Sequence, residues 1–177
     1  MKQKSFSDME CPIARSVERL GAGWSTLILR EAFYGATKFD EFQQGLEGIA
    51  PTTLTSRLKE LVESGLLERR LYSERPPRYE YVLTSVGREF RPVLWAMMEW
   101  GNRHFCPEGA IVHIEHRETR QVAQPYLADR STGDEMLPAA YRVAAGPGAS
   151  PTVRKKVASS HAAEARRQAA SRRTRRE

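Results

Sequence analysis

Residues 48–70 read GIAPTTLTSRLKELVESGLLERR, and residues 71–87 continue LYSERPPRYEYVLTSVG. The first stretch is a helix with both ends marked. Pro51 suits the opening turn, where its missing N–H costs nothing, and Gly65 suits the stop. Placing the residues at about 100° steps gathers Leu54, Leu58, Leu61 and Val62 on one face. Thr52, Thr53, Ser56 and Glu60 fall opposite, with Arg57 and Lys59 on the flanks. The apolar stripe predicts one buried side and one free side.

The second stretch changes period. Leu66–Tyr72 and Arg78–Thr84 are short and rich in Leu, Tyr and Val, and the intervening SERPP cannot be helical. They predict a β-hairpin with a stiff, arginine-bearing loop. Thr84 then caps a long helix holding Val86, Phe90, Val93, Leu94 and Met97, kinked at Pro92. Upstream, Pro12 opens a helix with Ile13, Val17 and Leu20 inward, before Gly21 and Gly23. A second helix carries Trp24, Leu27, Ile28 and Ala32 and closes at Gly35. A short third runs about Lys38–Leu46 with Phe39 and Phe42 inward.

Four helices, a hairpin and a further helix, in that order, predict a winged helix-turn-helix: a mainly α domain with a small β-hairpin. It is expected over residues 11–107. Residues 108–148 form a small strand-containing extension, read from AIVHIEHRE and QPYLADRSTGDEM around a turn at Thr132–Asp134. Such an appendage would pack on a dimer or hold a small-molecule effector of unknown identity. Residues 149–177 are a basic tail whose only large aliphatics are Val153 and Val157, too few to offset ordering entropy, so it is read as disordered or at most transiently helical.

In a helix-turn-helix the second helix lies in the major groove and reads base edges from its N-terminal turns. Here those turns offer small hydroxyl residues and flanking cations. That suits close approach to bases and contact with guanine or phosphate. A solvated amphipathic face is the plain alternative; the hairpin beside it favours DNA. A Pro-Pro loop holding arginines suits a wing that touches phosphate or the narrow minor groove. The expected DNA contacts are Lys38, Thr52, Thr53, Ser56, Arg57, Lys59, Arg75 and Arg78.

Charge supports this only with care. The chain of 177 residues carries a net charge of +6. Residues 1–107 hold 15 Lys/Arg against 14 Asp/Glu, and residues 108–150 hold 4 against 6. Residues 151–177 hold 9 against 2, so the basicity belongs to the tail. As a flexible arm it would raise general DNA affinity through counterion release without reading bases.

The sequence resembles the HxlR-type winged-helix transcriptional regulators of bacteria. The resemblance runs from Cys11 to about Phe105 and rests on the cysteine-proline opening, GAGWSTLILREAFYGATKFDEF, GIAPTTLTSRLKELVESGLLERR, YSERPPRYEYVLTSVG and the Trp of AMMEWG. It implies a homodimeric, sequence-specific DNA-binding regulator, read here as a repressor with an inverted-repeat operator, whose first and last helices form the dimer. It implies a recognition role for Thr52, Thr53, Ser56 and Arg57, and a wing role for Arg75 and Arg78. The side chains fit a dimer: Trp95, Met97, Met98 and Trp100 exceed what a core of this size encloses, and packing against residues 108–145 of the same chain is the other reading.

Cys11 precedes Pro12 at the first helix. The helix dipole and Arg15 favour its thiolate, while Asp8 and Glu10 oppose it. Members of the family use a cysteine here to sense electrophiles or oxidants, and a small buried residue at the dimer seam is the other reading. His104, Cys106, His113 and His116 have a spacing that matches no standard zinc finger, so no metal or other cofactor is expected.

The rival functions are a sequence-independent, tail-driven DNA-binding protein and a thiol or metal enzyme. The enzyme lacks a Gly-rich phosphate loop, paired carboxylates and a base beside Cys11. Two cysteines, no apolar run of about 18–20 residues, and a start without an apolar segment lead to the expectation of a cytoplasmic protein with no membrane partner.

Overall fold

The computed structural model describes residues 11–20 and 23–174, without the side chains of Pro12, Arg15, Glu18, Arg19 and residues 168–174. The chain divides into two compact units, one comprising Ile13–Tyr126 and the other comprising the residues from Leu127 onward together with Cys11 and Pro12.

The first unit contains α1 (Pro12–Leu20), α2 (Gly23–Tyr34), α3 (Phe39–Gly45), α4 (Pro51–Glu63), β1 (Leu67–Glu74), β2 (Pro77–Leu83), α5 (Ser85–Arg88) and α6 (Arg91–Phe105). Its core gathers Ile28 and Leu29 of α2, Phe42 of α3, Leu46 and Ile49 of the turn, Leu54, Leu58 and Leu61 of α4, and Leu66 and Leu67. The stripe expected on α4 is the one that packs, with Val62 half-buried beside it. Each fully buried leucine contributes on the order of 1.5–3 kcal/mol. Packing of this stripe therefore fixes the rotation of α4 and turns its polar side out.

β1 and β2 pair antiparallel, with Arg70 opposite Glu80 and Glu74 opposite Pro77, and a bulge between Leu71 and Ser73. The strands run further than the sequence suggests. Only Arg75 and Pro76 remain as the turn, because Pro77, at a hairpin end, has no ladder N–H to lose. The hairpin also gains a neighbour: Lys38 bridges Glu80, and the Tyr81 N–H donates to the Thr37 carbonyl at 2.6 Å. The segment between α2 and α3 thus fastens the hairpin to the helices.

Where one kinked helix is expected after Thr84, there are two. Thr84 does cap, its Oγ1 accepting from the Gly87 N–H at 3.0 Å, but α5 ends at Arg88 and α6 begins at Arg91. Pro92 cannot donate to the carbonyl four residues back and its ring collides there, so the chain breaks rather than bends. Neither Ile13 nor Val17 is inward: they are 75% and 45% exposed, and among the described side chains of α1 only Leu20 reaches the core. α6 has no buried residue, with Trp95 and Trp100 41% and 60% exposed. Trp100 and Phe105 stack edge-to-face on that surface at 4.8 Å.

Residues 108–150 are not the small sheet expected. Among the described residues they hold two single bridges, Glu115 with Val122 and Ala128 with Glu135, around two turns built alike. Arg120 N–H donates to the His116 carbonyl in one, Gly133 N–H to the Asp129 carbonyl in the other. The residue at that position has φ of 58° or 79°. Short apolar alternation without partner strands yields turns, not a ladder.

In the second unit, α7 spans Pro151–Thr174. Composition predicts a tail that is disordered or at most transiently helical, and the structure has a continuous helix. Low apolar content bars a core but not a helix: Ala, Arg, Lys and Gln are strong helix formers, and they dominate this segment. Among the described residues, no helix is long and apolar enough to cross a membrane.

Candidate nucleic-acid interface

The polar side of α4 is the natural place to begin, since the core fixes its direction. The turn after α3 uses a positive φ of 84° at Gly48, and Ala50 opens α4 in extended backbone, followed by Pro51. Ala50 has no side chain to cap the first amides, so the helix start is chemically open. Thr55 folds its hydroxyl back to the Pro51 carbonyl at 2.9 Å, which removes it from the surface chemistry. Thr52 and Ser56 are exposed and Thr53 is half-buried.

Glu60 organises the middle of this face. Its carboxylate accepts from Ser56 Oγ at 3.1 Å and from Arg57 Nη1 at 2.5 Å. Arg57 is held half-buried along the helix, with its Nε buried and unpartnered. The sequence puts Glu60 among the outward residues but gives no sign of this shared bond, which depends on rotamers. Lys59 is exposed and lies 3.7 Å from Glu63, an ion pair of small worth at a surface.

The hairpin supplies the second part. Of its four arginines, two are occupied within it. Arg69 stacks over Tyr79 at 3.3 Å, and Arg70 donates to Glu68 at 2.8 Å. That bond holds the Glu68 carboxyl below its ordinary range and pushes the Arg70 guanidinium up. Arg75, at the tip, and Arg78, on β2, are exposed and have no ion pair among the described residues.

Lys38 sits where the two parts meet. Its ammonium lies 5.3 Å from the centre of the Tyr72 ring and 3.9 Å from Glu41. Glu41 in turn accepts from the backbone N–H groups of Thr37 and Lys38 at 2.8 and 3.0 Å, and these bonds lower its pKa from the ordinary 4.5. A carboxylate that caps α3 therefore also steadies the segment pairing with the wing.

The remaining candidates stand apart. Cys11 is a half-buried free thiol. The opposing Asp8 and Glu10, and the Arg15 side chain, lie outside the described residues. His104, Cys106, His113 and His116 belong to no gathered metal-binding set among the described residues.

The fold, helices followed by a two-stranded hairpin, is shared with known proteins. A family model for HxlR-like helix-turn-helix proteins matches residues 19–108. The chain belongs to that family. A helix-turn-helix transcriptional regulator of Mycobacterium tuberculosis is 39% identical over 137 residues, covering 77% of this chain and 86% of the relative. A regulator of Synechocystis is 45% identical over 92 residues, 52% of this chain and 68% of that one. Among solved structures, a protein described as a transcription factor from Pseudomonas aeruginosa aligns with a TM-score of 0.62 at 46% identity, covering 82% of this chain and 99% of that chain. The redox regulator HypR in its reduced form aligns at 0.50 with 32% identity, over 53% of this chain and 95% of that chain. The HxlR-like chain described here is a DNA-binding transcriptional regulator with a winged helix-turn-helix.

Proposed function

We propose that this HxlR-like regulator is a homodimeric, cytoplasmic repressor that reads an inverted-repeat operator through α4, with no enzymatic step. The observation that carries the reading is the polar face of α4. Thr52, Thr53, Ser56, Arg57 and Lys59 share an element whose rotation is set by buried leucines, beside a wing whose Arg75 and Arg78 have no ion pair among the described residues. Small hydroxyls at the helix start admit bases, Arg57 reads guanine or phosphate, and the wing arginines and Lys38 position the duplex.

The dimer reading rests on apolar residues that one chain leaves open on α1 and α6: Ile13, Val17, Trp95, Met97 and Trp100. A second copy covering them would place two α4 helices on half-sites about one helical turn apart. Cys11 is the residue we assign to a response to oxidants or electrophiles; the similarity to a redox regulator supports that role. A small-molecule effector other than these has no assigned site.

Selection of binding sites from random duplex fragments, followed by sequencing, tests the whole reading. An inverted repeat enriched by the wild-type chain, with its release by diamide lost in Cys11→Ser, is the expected result. Enrichment of no sequence would leave the sequence-independent alternative in its place.

A further inference from the structure

α7 has two unlike sides. Across residues 151–167 only Val153, Val157 and His161 are half-buried, at positions i, i+4 and i+8, and every other residue is exposed. That side is tied down at its start. His161 Nε2 lies 2.7 Å from the Val143 carbonyl, and Arg154 reaches the carbonyls of Ala149 and Pro147 at 3.1 and 3.2 Å.

The other side carries charge. Lys155 and Arg166 fall within about 20° of one another on the helical wheel, and so do Lys156 and Arg167. The two pairs are about 16 Å apart along the axis at about 1.5 Å per residue. Between them the same sector holds Ser159, Ser160, Ala162 and Ala163, and both hydroxyls are spent on backbone carbonyls, Ser159 on Lys155 at 2.9 Å and Ser160 on Val157 at 2.8 Å. None of these four cations has an ion pair among the described residues, and the one carboxylate on the described part of α7, Glu164, lies on the tied side.

We propose that α7 is a second, sequence-independent DNA-binding element that lays Lys155, Lys156, Arg166 and Arg167 on the phosphate backbone of duplex DNA. Cations at either end of a saddle of small side chains let a helix about 10–12 Å across settle against a backbone, where each neutralised phosphate releases counterions. The outward face has no large apolar residue, which a helix lying in a membrane surface needs. Between the two cation pairs, no hydroxyl or amide among the described side chains is free to read bases, so α7 adds affinity without sequence preference. This rests on the chain being a DNA-binding regulator, and it replaces the flexible arm expected from composition with a preformed one.

The test is a salt titration of the full chain on a selected site and on a scrambled duplex. It compares wild type with the quadruple change Lys155→Gln, Lys156→Gln, Arg166→Gln, Arg167→Gln. Each phosphate contact contributes about 0.9 to the slope of log affinity against log salt, so losing four lowers the slope by about 3–4 on both duplexes. Preference between the duplexes stays as in wild type. A slope change below about 1 overturns the proposal. So does poly-glutamate that competes for wild type as well as duplex DNA does, with that competition lost in the quadruple variant. Ala163→Pro breaks the helix between the two cation pairs at unchanged charge and is expected to lower affinity at low salt at least threefold. Unchanged affinity there overturns the preformed helix. Absence of any preference in the wild type would instead count against α4 as the reading element, so the two failures are separable.

Discussion

Gly87 lies so close to Leu66 that a Cβ placed on it would fall 2.1 Å from the Leu66 carbonyl oxygen. The same carbonyl accepts from the Thr84 N–H at 3.1 Å, and Thr84 Oγ1 also donates to the Gly65 carbonyl at 2.7 Å. The end of α4, the base of the hairpin and the start of α5 are knotted at this point. The knot sets the angle between recognition helix and wing, because neither can move without breaking these bonds. Gly87→Ala must push backbone against backbone, and is expected to destabilise the fold by about 3 kcal/mol or more, as other overpacked sites do at their upper range. Urea unfolding measures it; a midpoint equal to wild type would remove the knot from the account.

Glu41 gives a pH signature. Its carboxyl titrates below the ordinary 4.5 because the Thr37 and Lys38 N–H groups bond the charged form. A group with a lowered folded pKa adds stability above its unfolded pKa, and that stability is lost as pH falls through the folded value. Glu41→Gln mimics the protonated form. Wild type should therefore be more stable than Glu41→Gln at pH 7, and the gap should close as pH falls below about 4.5. A gap that stays constant across that range contradicts the cap.

Glu60 places a negative charge on the side of α4 proposed to meet DNA, and its carboxylate accepts from Ser56 and Arg57. Removing the charge by Glu60→Gln is expected to tighten binding to random duplex several-fold at low salt, and to narrow the preference for the operator. Fluorescence anisotropy on both duplexes reads the two effects. Weaker binding to random DNA would mean that Glu60 helps hold Arg57 in its bound geometry instead.

Arg75→Ala and Arg78→Ala should each weaken binding to all duplexes alike and lower the salt slope by about 0.9, because an arginine on phosphate carries no base information. A change confined to the operator would make the wing a reader of sequence.

Trp100→Ser together with Ile13→Ser removes apolar surface that we assign to the dimer. Sedimentation at micromolar concentration should show a dimer for wild type and a monomer for the variant. A wild-type monomer would sink the dimer, and with it the inverted repeat.

How much of this could be read in advance follows from the range of the interactions. The α4 stripe was legible because Leu54, Leu58 and Leu61 repeat with the helix period and all reach one core. The hairpin was legible from Tyr and Val beside two prolines, but its ends were not, since Glu74 and Pro77 pair by register rather than by residue type. The break before α6 was hidden because Val86, Phe90, Val93 and Leu94 keep helical spacing across it. Lys38 joins the wing through Glu80, far along the chain, and the Glu60 bonds depend on rotamers; neither leaves a local pattern. α7 is not legible from apolar content, which measures core formation, while its alanines and arginines favour a helix by themselves. In Ile13 and Val17 the sequence pattern and the single chain disagree, and the proposed partner is what reconciles them.

The polar face of α4 is proposed to discriminate between sequences. Competition binding of wild type, Ser56→Ala and Arg57→Ala to the selected operator and to its scrambled duplex, at one salt concentration, tests it most directly. Each variant is predicted to lose about 1–3 kcal/mol on the operator while its affinity for the scrambled duplex stays nearly unchanged. Equal losses on both duplexes, or full discrimination retained by both variants, would contradict it.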